Sequence, residues 1–133
     1  MILGIGTDIC DVRRIRALHD KHPERFAAKA FTPREREVCD ARPDPVPCLA
    51  KRFAAKEAVA KALATEFSGA LSWHDVEVIN AASGRPDVLL HGGAAARLRD
   101  LLPEGHAARI RISLSDERDY AVAFAVVEAR PGC

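Results

Sequence analysis

The sequence predicts an α+β fold in which helices cover one side of a mainly antiparallel sheet. Three observations lead there. Segments near both ends alternate apolar and polar residues with the period of a strand, while Asp11 to Ala64 carries helical spacing. The resulting order, β-α-α-α-β-β-α-β-β, separates a helical block from hairpin-like pairs. At 133 residues, 48% hydrophobic and 29% charged, the chain has the size and composition of one globular domain spanning 1–133.

The elements follow in chain order. Ile2 to Ile9 alternates, with Leu3, Ile5, Thr7 and Ile9 on one side and Ile2, Gly4, Gly6 and Asp8 on the other. One face is therefore greasy, and the other has almost no side chain until a carboxylate appears. Val12, Ile15 and Leu18 recur at helical spacing, so a helix runs from about Asp11 to His19–His22, before Pro23, with a short continuation over Arg25–Phe31. Thr32-Pro33-Arg34-Glu35 carries a cap, a first-turn proline and a capping box, and this helix ends before Pro43-Asp44-Pro45-Val46-Pro47. Cys48 to Ala64 has no Gly or Pro and is the strongest helix in the chain. Trp73–Asn80 and Asp87–His91 flank Ser83-Gly84-Arg85-Pro86 as a hairpin. Gly92-Gly93 opens a helix over Ala94–Leu102. Arg109–Ser115 and Tyr120–Glu128 form the last two strands around Asp116–Asp119, and Arg130–Cys133 is a loose tail.

Charge and cysteine usage narrow the function classes. The formal net charge is +1, so no global field calls for nucleic acid. Residues 1–56 hold 12 Lys and Arg against 8 Asp and Glu, net +4, and residues 57–133 hold 8 against 11, net −3. A basic N-terminal half suits an acidic partner. No apolar run reaches the ~18 residues of a membrane span, and the N-terminus does not read as a signal peptide. Cys10, Cys39, Cys48 and Cys133 show no CxxC spacing and read as reduced thiols of a cytoplasmic protein.

Two carboxylates hold the chemistry that the residues themselves suggest. On a helical wheel Leu49, Phe53, Ala60 and Ala64 share a sector of about 60°, and Glu57 falls about 20° beyond it, beside the apolar seam. Glu57 there needs a partner, and an i,i+4 pair with Lys61 is the simplest one. Asp8 ends a strand on a face cleared by Gly4 and Gly6, where a backbone or a ligand can approach, or else it caps the next helix. Together the two could share a hard cation such as Mg²⁺, with substrate phosphates completing the shell and Arg52, Lys56 and Lys61 offsetting phosphate charge. His19-x-x-His22 has no matching second pair, so it reads as a solvated helix end. Trp73 reads as core, and His74, His91 and His106 as isolated surface residues.

These motifs resemble the holo-[acyl-carrier-protein] synthase family, the small single-domain group of 4′-phosphopantetheinyl transferases. The resemblance rests on Ile5-Gly6-Thr7-Asp8-Ile9 with Arg14-Ile15, and on Ala50–Ala58 with Lys61-Ala62. Ser72–Val78 with Gly84-Arg85-Pro86, and Ile112–Ala121, extend it over nearly the whole chain. It implies a 4′-phosphopantetheinyl transferase-like fold. It also implies transfer of the phosphopantetheine arm of coenzyme A to a serine of an acidic apo acyl carrier protein, with loss of adenosine 3′,5′-bisphosphate. By the same resemblance Asp8 and Glu57 hold Mg²⁺, and Asp8, Glu57 and Lys61 form the catalytic group. Arg52, Lys56 and Lys61 contact coenzyme A phosphates, with Gly84, Arg85, Pro86, Ser115 and Asp116 near the nucleotide. Arg14, Arg25 and Phe26 dock the carrier protein. The assembly is a homotrimer with sites between subunits.

Two positions depart from the family pattern. Many members carry His where this chain has Asp116, and one branch carries Asp-Glu-Arg as here; where that histidine binds phosphate, an anion cannot, and another cation could substitute. Members often show Gly-Thr-Gly where this chain has Ala64-Thr65-Glu66. That change keeps a second expectation open, a catalytically weak paralogue that only binds carrier proteins. An unrelated Mg²⁺-dependent phosphohydrolase is a third, resting on the two carboxylates alone.

Overall fold

The computed structural model describes residues 1–67 and 71–132. The chain runs β1 (Ile2–Asp11), α1 (Val12–Lys21), α2 (Pro23–Ala30), α3 (Pro33–Asp40), α4 (Val46–Ala62), β2 (Val76–Asn80), β3 (Pro86–Leu90), α5 (Gly92–Leu101), β4 (His106–Asp116) and β5 (Tyr120–Pro131). β1, β5 and β4 form a three-stranded sheet in that order, and β2 and β3 a separate hairpin. All three pairings are antiparallel.

The glycine face of β1 is where the helical layer meets the sheet. A Cβ built on Gly4 would lie 1.9 Å from the Ala62 carbonyl oxygen, and one on Gly6 would lie 1.9 Å from that of Ala58. The glycines therefore admit the backbone of α4, not a ligand. β5 continues the same strategy with Ala121, Ala123 and Ala125, all buried. Small residues on both strands let α4 approach closely, and Ala54, Ala55 and Ala58 are fully buried on it. Phe53 is only half-buried and Ala64 lies exposed beyond the helix, so the apolar sector expected from the wheel is not the one facing the sheet. The greasy face of β1 points outward instead: Ile5 is 72% and Ile9 67% exposed, with Phe124 of β5 beside them at 55%.

Several local expectations change. Trp73–Asp75 is one turn of 3-10 helix, capped by Ser72 and Asp75, so the strand starts at Val76. The tail is not loose through Gly132, because β5 continues to Pro131 and the Gly132 N–H donates to the Gly105 carbonyl. α1 is capped by Asp11, which accepts from the Arg13 N–H, and not by Asp8. α3 has the expected Thr32–Glu35 capping box.

Cys39 and Cys48 form a disulfide, which corrects the expectation of reduced thiols. The Pro-rich turn folds α3 back on α4 and brings the two Cα atoms to 5.4 Å, within bridging range. A spacing of nine residues has no signature from which this could be read. Cys10 is a free thiol, buried, with its pKa pushed up to about 11 chiefly by burial. Cys133 lies outside the described residues.

Lys56 is also corrected. It is wholly buried, not a phosphate contact, and its Nζ lies 2.7 Å from Oε1 of the equally buried Glu35. The ammonium also donates to the carbonyls of Trp73 and Val76. Glu35 in turn accepts from the Thr32 and Val78 N–H groups at 2.9 Å each. One ion pair thus ties α3, α4 and β2 together, with its donors and acceptors used. Burial pulls the Lys56 pKa down, against the opposing pull of Glu35.

Ala64 follows α4 with φ +53°, the left-handed conformation that glycine adopts without strain. The backbone keeps the path of a glycine loop although the side chain is present. Ala64→Gly is expected to stabilise the fold by roughly 0.5–1 kcal/mol, after the added freedom of the unfolded chain is subtracted. Thermal melting should show a rise of a few degrees, and a lower melting temperature would contradict strain at this position.

Candidate functional site

β1 and α4 bring Asp8, Glu57 and Lys61 together. Gly4 and Gly6 let α4 lie directly on β1, so Asp8, next on the same face, emerges beside the flank of the helix that carries Glu57 and Lys61. Lys61 Nζ donates to Asp8 Oδ1 at 3.2 Å and to the Thr7 carbonyl at 3.0 Å. The i,i+4 partner expected for Lys61 was Glu57; the ammonium has turned to Asp8. Glu57 is half-buried, and its pKa is raised first by desolvation and then by the negative charge of Asp8. Lys61 and Arg14 act in the opposite direction.

The negative charge of Asp8 disfavours ionisation of Glu57, and two such carboxylates beside a partly desolvated flank suit a shared cation. Among the described residues no three His, Cys, Asp or Glu side chains gather as a cage. The donor set therefore fits Mg²⁺, which needs only one or two carboxylates when waters and substrate phosphates fill its octahedron. It does not fit a closed structural metal site.

The residues expected to dock a partner converge next to this pair. The Arg14 guanidinium lies over the Phe53 ring, 5.8 Å from its centroid. Phe53 is one turn before Glu57 on α4. It also lines a cleft of about 290 Å³ together with Leu18, Arg25, Phe26 and Trp73. Phe53, Trp73 and Phe67 stack, with centroids 4.7 and 4.0 Å apart. Sequence reading missed Leu18, Phe53 and Trp73 as part of this surface. Only the position of Phe53 four residues before Glu57 offered a signal for them.

The expected nucleotide contacts fall elsewhere on the chain. Arg52 sits about 140° round α4 from Glu57 and is 4% exposed. Its Nη1 donates to Cys48 Sγ at 3.2 Å, while Nε and Nη2 are buried without a hydrogen-bond partner among the described residues. Burial lowers its pKa, with Glu35 opposing. Arg85 and Pro86 line a cleft of about 490 Å³ between β3 and β4, along with Arg109 and Arg111, and neither Asp8 nor Glu57 borders it. Gly84, at φ +85°, makes the turn before it. Ser115 and Asp116 close β4, where Asp116 Oδ1 is 3.4 Å from Lys51 Nζ. The lone chain thus joins the carboxylates to the docking surface and leaves the other expected contacts apart from them.

Comparison with known proteins gives a consistent picture. Residues 4–125 match the model of the 4′-phosphopantetheinyl transferase superfamily. The holo-[acyl-carrier-protein] synthase of Methylorubrum populi is 53% identical over 131 residues, spanning 98% of this chain and 96% of that one. The solved holo-[acyl-carrier-protein] synthase of Neisseria meningitidis superposes with a TM-score of 0.82 at 41% identity, covering 96% of this chain and 99% of that one. That of Bacillus anthracis, solved in complex with CoA (3′,5′-ADP), superposes with a TM-score of 0.76 at 32% identity, covering 96% and 97%.

Proposed function

This chain belongs to the 4′-phosphopantetheinyl transferase superfamily, and we propose that it transfers the 4′-phosphopantetheine group of coenzyme A to a serine hydroxyl of an apo acyl carrier protein, releasing adenosine 3′,5′-bisphosphate. The observation that carries the reading is the Asp8–Glu57–Lys61 group, set beside a basic, aromatic cleft in a chain matched by the family from 4 to 125. The whole chain serves as one transferase domain.

Asp8 and Glu57 are the residues that would hold Mg²⁺, which when bound offsets charge on the pyrophosphate and the leaving group. Lys61 fixes the Asp8 carboxylate and keeps a positive charge at the mouth of the site. Arg52 offers two nitrogens, Nε and Nη2, that have no hydrogen-bond partner among the described residues, as a guanidinium completed by an anion would. The coenzyme A nucleotide lies against Gly84-Arg85-Pro86 and Ser115-Asp116 of a neighbouring subunit in a homotrimer. Two features support that assembly: the expected contacts are divided between separate parts of one chain, and Ile5, Ile9 and Phe124 form an outward apolar face. The proposed setting is the cytoplasm, where coenzyme A and Mg²⁺ are both at hand. No described helix is long and apolar enough to cross a membrane.

Incubating the protein with apo carrier protein, coenzyme A and Mg²⁺, then weighing the carrier, tests the reading. A phosphopantetheine mass gain is the expected result. Complex formation without that gain would replace transfer by carrier binding alone. Phosphate release without a carrier would favour a hydrolase.

The carrier surface makes its own prediction. Arg14→Glu and Arg25→Glu should raise the KM for an acidic carrier protein and leave that for coenzyme A nearly unchanged. Rim charges act on encounter, so the wild-type rate should fall with salt as the Debye length shrinks to ~8 Å at 0.15 M, and the variants should respond less. Steady-state kinetics across a salt series checks this. Equal loss for both substrates would move these arginines into the fold or the coenzyme site.

A further inference from the structure

By the resemblance given above, Asp116 stands where many members carry histidine and one branch carries Asp-Glu-Arg as here, and an anion there opposes any phosphate nearby. The structure shows that this carboxylate is not alone. Lys51, near the start of α4, reaches the end of β4, where its Nζ lies 3.4 Å from Asp116 Oδ1. Both side chains are about one-third exposed, Lys51 at 29% and Asp116 at 34%. Neither side chain makes a hydrogen bond to any other described group. At 3.4 Å the pair is longer than the ~2.8 Å of a tight charge-assisted bond, so Asp116 orients the ammonium while engaging at most one of its donors. An ammonium has three donors, and two of them remain for a third party.

We propose that Lys51 is a phosphate-contacting residue for coenzyme A and that Asp116 is its positioning residue, the two together replacing one cation at position 116. The inference rests on the transferase reading above and adds to it the Lys51–Asp116 pair. An aspartate at 116 without a lysine at 51 would be repulsive. With the lysine, the strand end presents an ammonium toward the ligand and keeps its counter-ion behind.

The test is a double-mutant cycle on the full chain. Lys51→Met should raise the KM for coenzyme A roughly tenfold or more, the size of a lost charge-assisted hydrogen bond, with the KM for carrier protein unchanged. Lys51→Arg should recover most of that loss. Asp116→Asn should give an intermediate loss, because the ammonium is kept but released. The decisive arm is Lys51→Met combined with Asp116→His, which should bind coenzyme A better than Lys51→Met alone. Repeating the cycle with dephospho-coenzyme A assigns the phosphate: the effect of Lys51→Met vanishes if the 3′-phosphate is the partner and persists if it is the pyrophosphate. Circular dichroism and melting confirm that each variant folds.

A Lys51→Met variant within twofold of wild type for coenzyme A overturns the proposal. So does equal loss toward both substrates, or a double variant no better than the single one. Calorimetric titration with coenzyme A alone reads the same contact without turnover. A wild-type protein that binds coenzyme A through Lys51 but transfers nothing would refute the transferase reading and leave this contact standing.

Discussion

Asp8→Asn and Glu57→Gln are each expected to lower turnover at limiting Mg²⁺ by about 10²-fold or more, which at ~1.4 kcal/mol per tenfold is several kcal/mol of lost transition-state stabilisation. The fold should survive both changes. Glu57 has a raised pKa, so its ionised form is disfavoured in the folded chain relative to the unfolded one, whose ordinary value is 4.5. A raised folded pKa contributes stability that is present below the unfolded pKa and lost as pH rises through the folded one. At neutral pH the charged carboxylate is therefore a burden, and Glu57→Gln should melt at the same temperature as wild type or higher. That advantage should disappear near pH 4 and below, where both chains carry a neutral group. Activity and stability thus move in opposite directions at one residue. Mg²⁺ should raise the melting temperature of wild type and not of Glu57→Gln, through preferential binding to the folded state. Wild-type turnover in either variant at limiting Mg²⁺, or an unchanged Mg²⁺ response on melting, would remove that residue from the metal site.

Phe124→Asp is expected to abolish activity by dissociating the proposed homotrimer. Phe124 is 55% exposed in the single chain and stands between Thr7 of β1 and Ser113 of β4, so the substitution removes little from the protomer's own core. Surface changes of that kind shift stability by about 0.5 kcal/mol or less. In a homotrimer that covers the Ile5–Ile9–Phe124 face, the same change buries an unpaired carboxylate, at a cost of several kcal/mol per copy. Light scattering should report a monomer with a native far-ultraviolet spectrum, and carrier modification should cease. Dilution of wild type to monomers should have the same effect. A fully active monomer, wild type or variant, would show that one chain completes its own site.

Periodicity and turn chemistry carried most of the element order. The capping box at Thr32–Glu35 and the glycine turn at Gly84 are local, so their residues specify them without help from the rest of the chain. The boundaries that moved, such as Trp73–Asp75 and the end of β5, depend on partners distant in sequence. Ser72 and Asp75 cap a turn that ends against α5, through the Gly93 N–H bond to Asp75, and Gly132 is held by Gly105.

By itself the sequence determined the fold class and singled out the two carboxylates and the basic first helix, because spacing and residue type are local; it left open whether Asp8 caps a helix and whether Glu57 pairs with Lys61. Motif resemblance added the family. Which way each face turns was a tertiary decision. Gly4 and Gly6 read equally well as room for a ligand or for a backbone, and only the packed α4 shows that a backbone fills it. The three lysines of one helix motif also look alike in sequence. Packing sends Lys56 into the core against Glu35, Lys61 to Asp8 and Lys51 to Asp116. The helical rotation of 100° per residue points each in a different direction, and what waits there is set by strands 50 or more residues away or by a helix that folds back across a disulfide-linked turn.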